Sequence, residues 1–280
     1  MSRLHTRPHV RVLQYAALAA YVVFLGFPLL WLVSTSLKST GEIVTGASRL
    51  LPTAPTLDNF RAAVERAELV QAGANTLRVS LATTVLVVLL SLPAAYALAR
   101  FRTWLRPVTL SWVLLSQVFP VILVIIPLFL ILKQFALVDS LAGLTVVYVV
   151  YSLPFALWML QGFVAGIPRE LEEAASVDGA TRLRVLASIV FPLLRPGLVA
   201  TALFTFISSW NEFLFALVLI QDPDKVTLSL TLSRFVGAEG QVQLGALAAG
   251  SLLATIPSLV FFLVIQRRLT SGLLTGAVKG

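Results

Sequence analysis

Cysteine is absent from all 280 residues, which removes a disulfide framework, a thiolate nucleophile and a cysteine metal site. Histidine is nearly absent: His5 and His9 both stand at the amino terminus, so imidazole acid–base or metal chemistry has nothing to use in the body of the chain. None of the lysines, Lys38, Lys133, Lys225 and Lys279, follows a glycine. The phosphate-cradling G-x-x-x-x-G-K-[ST] loop is therefore missing, and the chain itself is not expected to hydrolyse ATP. No catalytic residue, resident metal or cofactor is expected. Charge is scarce as well, at 12% of residues against roughly a quarter in soluble domains.

Hydrocarbon fills the space that charge leaves. Hydrophobic residues make up 58% and the mean hydropathy is +0.92, the balance of a polytopic membrane protein. Apolar windows of about 20 residues, enough to cross about 30 Å of hydrocarbon as helix, lie near 12–37, 72–99, 107–132, 144–164, 198–220 and 246–266. They are too long for barrel strands of about ten alternating residues, so an all-α fold with six transmembrane helices is expected. Arg3, Arg7 and Arg11 precede the first apolar run as in a signal peptide. The run is longer than the usual h-region and has no clear A-x-A site, so it is read as a retained span. Pro28, Pro93, Pro120, Pro127, Pro154 and Pro257 fall inside the windows, where neighbouring helices can satisfy the freed carbonyls. Ser91/Ala95/Ala99, Gly245/Ala249 and Ala246/Gly250 give the small-xxx-small spacing that lets helices approach closely.

Six spans put both termini on one side, with thirteen of the 21 basic residues: Arg3, Arg7, Arg11, Arg100, Arg102, Arg106, Arg169, Arg182, Arg184, Arg195, Arg267, Arg268 and Lys279. By the positive-inside rule that side is cytoplasmic. The net charge of +8 then reflects contact with the anionic inner leaflet, and no nucleic acid is needed to explain it. The organisation expected is a cytoplasmic segment 1–11, a first helix with external loop over 12–71, a core over 72–266 and a cytoplasmic tail 267–280. A second external segment covers about 221–245, and a cytoplasmic loop covers 165–197.

That loop reads AGIPRELEEAASVDGATRLRVLASIVFPLLRPG. Pro168 suits a first helical position, and Glu170, Glu172 and Glu173 fall in the first turns, where the helix dipole favours negative charge. Gly179 stops the helix. Leu171, Ala174, Ala175 and Asp178 share one small, mostly apolar face. Thr181 can cap a second helix that returns to the membrane at Pro192 and Pro196. The expected product is a helix-turn-helix projecting into the cytoplasm, read from these signals alone either as a solvated hairpin or as a docking element.

The fifth window, FISSWNEFLFALVLI, holds Glu212, the only acid well inside any span. Counted at about 1.5 Å per residue from Leu198, it lies in the outer half. Such a carboxylate faces the bundle interior or a wet cavity. Trp210, Asn211 and Glu212 can line a solute path; alternatively Trp210 is an interfacial anchor and the other two are interhelical hydrogen-bonding partners. Arg78 near the outer end of span two can snorkel and is read as structural.

Glu173-Ala174-Ala175, three residues, Gly179, nine residues, Ile189, two residues, Pro192 resembles the EAA signature of ABC-importer permeases. PAAYALARF at 93–101, WNEFLFAL at 210–217 and GLLTGAVKG at 272–280 resemble its carbohydrate, maltose-transporter-like branch. The resemblance implies a type I importer permease fold in the cell membrane. It implies that 170–178, with Val177 included, is a coupling helix seated in a cytoplasmic ATPase, Gly179 permitting the turn, and that Gly276 and Lys279 of the tail reach the ATPase dimer. Implied partners are a second permease, two ATPases that bind ATP and Mg, an external solute-binding protein and a sugar, whose contacts are shared between the permeases in a proportion left open. A secondary transporter or channel working without an ATPase is the rival class. Secondary carriers commonly show repeated halves and midplane ionisable groups, whereas this chain offers one acid and an asymmetric hairpin.

Overall fold

A computed structural model describes residues 8–45, 49–66, 68–101, 104–237 and 242–276. Helices dominate them: α1 (Pro8–Leu37), α2 (Thr40–Val44), α3 (Asp58–Arg66), α4 (Leu69–Arg100), α5 (Leu105–Val118), α6 (Val121–Gln134), α7 (Leu141–Ala165), α8 (Glu170–Val177), α9 (Arg182–Val185), α10 (Phe191–Trp210), α11 (Leu214–Leu219), α12 (Leu228–Ser233) and α13 (Leu244–Gly276). Among the described residues five stretches are long and apolar enough to cross a membrane: Val10–Leu37, Leu69–Arg100, Leu141–Ala165, Arg182–Trp210 and Leu244–Val264. α5 and α6 pass the same measure only when taken together as one span, and they are bent by 102°.

Two expected spans are therefore broken. The window 107–132 breaks at Phe119 and Pro120, both with extended backbone (ψ 129° and 120°); proline lacks the N–H that would continue the ladder and pushes the residue before it out of the helical region. The window 198–220 is displaced. Its long helix begins at Arg182, passes through a π-helical turn at Leu186–Val190 and ends at Trp210. Three residues then separate it from α11.

The chain forms two compact bodies. The first comprises residues 1–69 and 232–255. Its core is Ala63, Phe235, Ala246 and Ala249, and Gly245 and Gly250 admit Asn59 and Leu232 where a Cβ would collide with them, as the small-residue spacing predicts. The buried Asn59 side chain donates to the carbonyls of Ser36 (2.9 Å) and Lys38 (2.7 Å). The Lys38 ammonium, also buried, donates to the Arg49 carbonyl at 2.6 Å and lies 4.8 Å from the Trp31 ring centroid, a paired state that makes burial of its charge tolerable. A polar clasp thus ties the end of α1 to the segment leading into α3.

The second body comprises residues 70–231 and 256–280. One core joins Ala72 and Val79 of α4 to Leu144, Val147 and Tyr148 of α7 and to Phe215, Ala216 and Leu219 of α11. Another joins Ala95 and Ala99 of α4 to Leu160 and Val164 of α7 and to Val185, Val190, Leu194 and Leu198. Starts meet starts and ends meet ends, so α4 and α7 run in the same direction. Ser91, Ala95 and Ala99 are all buried, and Ala95 and Ala99 pack in the second of these cores.

At the first core, Asn75 donates to the carbonyls of Asp224 (2.8 Å) and Val226 (3.1 Å), and the Leu228 N–H donates to the Thr76 hydroxyl at 2.7 Å. Arg78 is exposed and donates weakly to Asn75 Oδ1 at 3.5 Å. Asn75→Ala should lower the melting temperature of the detergent-purified protein by the equivalent of about 1–3 kcal/mol, because the buried Val226 carbonyl and the partly buried Asp224 carbonyl lose their donor; an unchanged thermal transition would mean that the 224–228 loop is held by other contacts. Nearby, Asp139 accepts from the Gln221 and Asp222 N–H groups. Those two bonds hold its carboxyl below the usual range, so its stabilising contribution is full above about pH 4 and fades as the pH falls through the lowered value.

Candidate functional site

The hairpin that follows α7 is built from local capping chemistry. α8 starts at Glu170 with Arg169 at its N-cap, two residues later than Pro168 suggests, and all three glutamates fall in its first turn. At its end the Gly179 N–H donates to the Ser176 carbonyl (3.1 Å) and the Ala180 N–H to the Ala175 carbonyl (2.9 Å). This is the paired closure of a Schellman turn. It puts Gly179 at φ 81°, a left-handed conformation that glycine adopts without steric cost. Thr181 then caps α9 by accepting from the Arg184 N–H, as its sequence position predicts.

The residues of α8 divide into two faces. Glu170, Leu171, Glu173, Ala174, Val177 and Asp178 are exposed, as is Gly179. Glu172 and Ala175 turn inward, Ala175 onto the core around Leu160 and Val164. Leu171, Ala174 and Asp178 thus keep the outward face that the spacing predicts, while Ala175 leaves it and Val177, 87% exposed, joins it. Leu183, just across the turn, is 79% exposed and extends the apolar part of this surface. The sequence pattern did not single it out, because in a straight helix it would read as one more apolar position of the return arm.

Glu172 departs from its expected docking role. Its Oε1 accepts from Arg100 Nε at 2.5 Å and its Oε2 from the Tyr96 hydroxyl at 2.7 Å. The partners lie on α4, more than 70 residues away, and so left no local signal. A cleft of about 310 Å³ runs beside them, lined by Tyr96, Arg100, Phe101, Glu172, Glu173, Ser176, Arg182 and Val185.

Trp210, Asn211 and Glu212 do not converge on one surface. Trp210 is buried and stacks on Phe206 (centroids 5.6 Å apart), which in turn stacks on Phe261 (4.0 Å). Asn211 is exposed and its side chain donates to the Ile207 carbonyl at 2.8 Å, closing the end of α10. Glu212 lies in the break. Its carboxylate accepts from the N–H groups of Phe215 (2.9 Å) and Ala216 (3.3 Å) and from the Tyr148 hydroxyl (2.7 Å). An acid that satisfies the first free amides of a helix competes with continuation of the ladder, which explains why the helix stops here.

One cavity went unforeseen. It measures about 390 Å³ and lies against the bend between α5 and α6, lined among others by Trp112, Gln117, Phe119, Tyr151 and Phe215. Phe119-Pro120 at mid-window marks the place in the sequence, but prolines inside other windows leave their helices unbroken and so it is no signal by itself. Of the tail, Gly276 ends α13 and Lys279 lies outside the described residues. Among the described residues no cluster of acids or histidines can hold a metal.

A model of the binding-protein-dependent transport system inner membrane component family matches residues 81–274. The chain belongs to this family. The permease is 55% identical over 229 residues to a putative ABC transporter permease protein of Streptomyces antibioticus, covering 82% of this chain and 100% of that one. It is 37% identical to the diacetylchitobiose uptake system permease protein DasC of Streptomyces coelicolor (93% and 95% covered) and 37% identical to the trehalose transport system permease protein SugB of Mycobacterium tuberculosis (96% and 98%). Its fold matches a chain of a bacterial ABC transporter involved in import of the acidic polysaccharide alginate, with a TM-score of 0.78 over 95% of this permease and 99% of that chain at 21% identity. The protein is thus a multi-pass inner-membrane subunit with an all-α importer-permease fold.

Proposed function

We propose that this permease forms, with a second permease subunit, the path by which a sugar or related polyhydroxy solute crosses the membrane, and that α8 couples the path to two cytoplasmic ATPases. The observation that carries the reading is the outward face of α8: a short helix, closed at its C-terminal end by the Gly179–Ser176 and Ala180–Ala175 hydrogen bonds, that presents Leu171, Ala174 and Val177 among Glu170, Glu173 and Asp178. A partner groove can close over such a face, burying apolar area and pairing the carboxylates with basic groups at its rim. ATP and Mg bind on the ATPases, and closure of those subunits displaces α8 and rocks the spans between inward-open and outward-open states. The tail, through Gly276 and Lys279, reaches the same ATPases. Both termini lie in the cytoplasm, in keeping with the bias of basic residues, and a solute-binding protein docks outside.

The sugar class rests on the relatives named for diacetylchitobiose and trehalose and on the Trehalose/maltose permease MalG of Thermococcus litoralis, 32% identical. In the path, Asn211, the exposed member of the 210–212 set, meets the solute, and Trp210 and Glu212 hold the break beside it.

Purification of the complex through a tag on this chain tests the assembly. Two ATPase subunits and one other permease should co-purify, and ATP hydrolysis should rise when the cognate binding protein is added with trehalose, maltose or diacetylchitobiose. A chain that purifies without an ATPase would overturn the reading.

A further inference from the structure

The inward face of α8 carries a second device. We propose that Glu172 is a positioning residue that locks α8 to the inner end of α4, so that a displacement of α8 is delivered to α4 directly as well as through the return arm of the hairpin. The inference rests on the reading of α8 as the ATPase contact and adds the route by which the motion enters the membrane.

Three sets of contacts carry it. Both oxygens of the Glu172 carboxylate are engaged from α4, one by Arg100 Nε and the other by Tyr96 Oη. The pair is largely removed from water, with side-chain exposures of 9% for Arg100 and 13% for Glu172; at that burial an ion pair is stiff and little screened by salt. Arg100 uses a second nitrogen, Nη2, to reach the Ile167 carbonyl at 2.9 Å, which fixes the chain immediately before α8. In the reverse direction, Arg169 Nη2 donates to the carbonyls of Ala99 (3.2 Å) and Arg100 (3.3 Å), where the unpaired carbonyls of the end of α4 favour a cation. The two arginines cross: one leaves α4 for the hairpin, the other leaves the hairpin for α4. Beneath them Ala95 and Ala99 pack on Leu160, Val164, Ile167 and Val185, so there is little room for sliding.

A docking acid and a positioning acid make different demands. Glu173 is exposed and free to meet another subunit, whereas Glu172 has both oxygens committed within the chain. Adjacent positions on a helix point about 100° apart, which is how two neighbouring glutamates can serve two different bodies.

The absence of cysteine from the chain permits a direct test. Cysteines placed by Leu89→Cys on α4, an exposed position, and Ser176→Cys on α8, exposed and outside the docking face, carry spin labels in the complete complex, and their separation is measured without nucleotide and with a non-hydrolysable ATP analogue. With Glu172 intact the distance should be the same in both states. Glu172→Ala and Arg100→Met should each broaden it and make it nucleotide-dependent, and should lower stimulation of ATP hydrolysis by the binding protein at least about fivefold, the lower range of coupling between sites, with the ATPases still bound. The exchange of Arg100→Glu with Glu172→Arg should restore part of that stimulation. A distance that changes with nucleotide in the parent, or Glu172→Ala with invariant distance and full stimulation, overturns the lock alone. Absence of an ATPase from the parent complex would overturn the coupling reading and this one with it.

Discussion

Gly179→Val should leave the complex assembled and reduce binding-protein-stimulated ATP hydrolysis and uptake by about tenfold or more, while Gly179→Asn stays close to the parent. The residue sits at φ 81°, and no atom lies within 4 Å of the position a Cβ would take. The penalty is thus confined to the backbone. An L-residue in this region costs about 1–2 kcal/mol and a β-branched one more, whereas asparagine visits it readily. The hairpin can escape the strain only by giving up the bonds from Gly179 to Ser176 and from Ala180 to Ala175. Once they open, Val177 and Asp178 on one side of the turn and Leu183 on the other lose their fixed relation. About 1.4 kcal/mol is already tenfold in an equilibrium, so a coupling face that must be presented in one geometry loses most of its occupancy. Hydrolysis rates with and without binding protein, measured on the parent and the two variants side by side, decide it; valine with full stimulation would remove the turn from the mechanism.

Glu212→Ala should act first on stability. The substitution strips the acceptor from two backbone N–H groups and from the Tyr148 hydroxyl at once, each worth about 1–3 kcal/mol when left unpaired in a buried setting. A fall of several degrees in melting temperature is expected, with transport falling in proportion to the protein that remains folded. Tyr148→Phe removes only one donor and should be milder. In the double variant the two losses should be less than additive, because the residues share one bond. A sugar ligand behaves differently: its removal raises the KM and leaves the melting temperature alone. That pattern in Glu212→Ala would return the carboxylate to the solute path.

The parts of this permease that could be read from the sequence are those governed by neighbours in the chain. The stop at Gly179, the cap at Thr181 and the acids in the first turn of α8 involve partners within five residues, and local chemistry dictates them. The side-chain partners of Glu172 and the Tyr148 partner of Glu212 are 64 to 76 residues distant, so the sequence does not separate the two adjacent glutamates; the N–H groups of Phe215 and Ala216 are within four residues of Glu212, but an apolar run that reads as one continuous helix hides them. Pro120 stands inside its window like the other prolines and does not by itself announce the bend. Pro28, Pro93, Pro127, Pro154 and Pro257 all lie inside helices that continue through them, since a membrane bundle can satisfy the freed carbonyls. What distinguishes Pro120 is the extended backbone on both sides of the Phe119–Pro120 bond, a tertiary outcome that composition does not announce.

Under the proposed function, ATPases acting on α8 drive sugar movement through this chain. The most direct measurement is uptake of labelled trehalose, maltose and diacetylchitobiose into proteoliposomes that hold the purified complex, with ATP enclosed and the binding protein added outside. Uptake of at least one of these sugars that needs both ATP and the binding protein, and that is lost in Glu173→Lys while the ion gradient is irrelevant, is the predicted result. Uptake that proceeds without ATPase subunits, driven by a proton or sodium gradient, would contradict it.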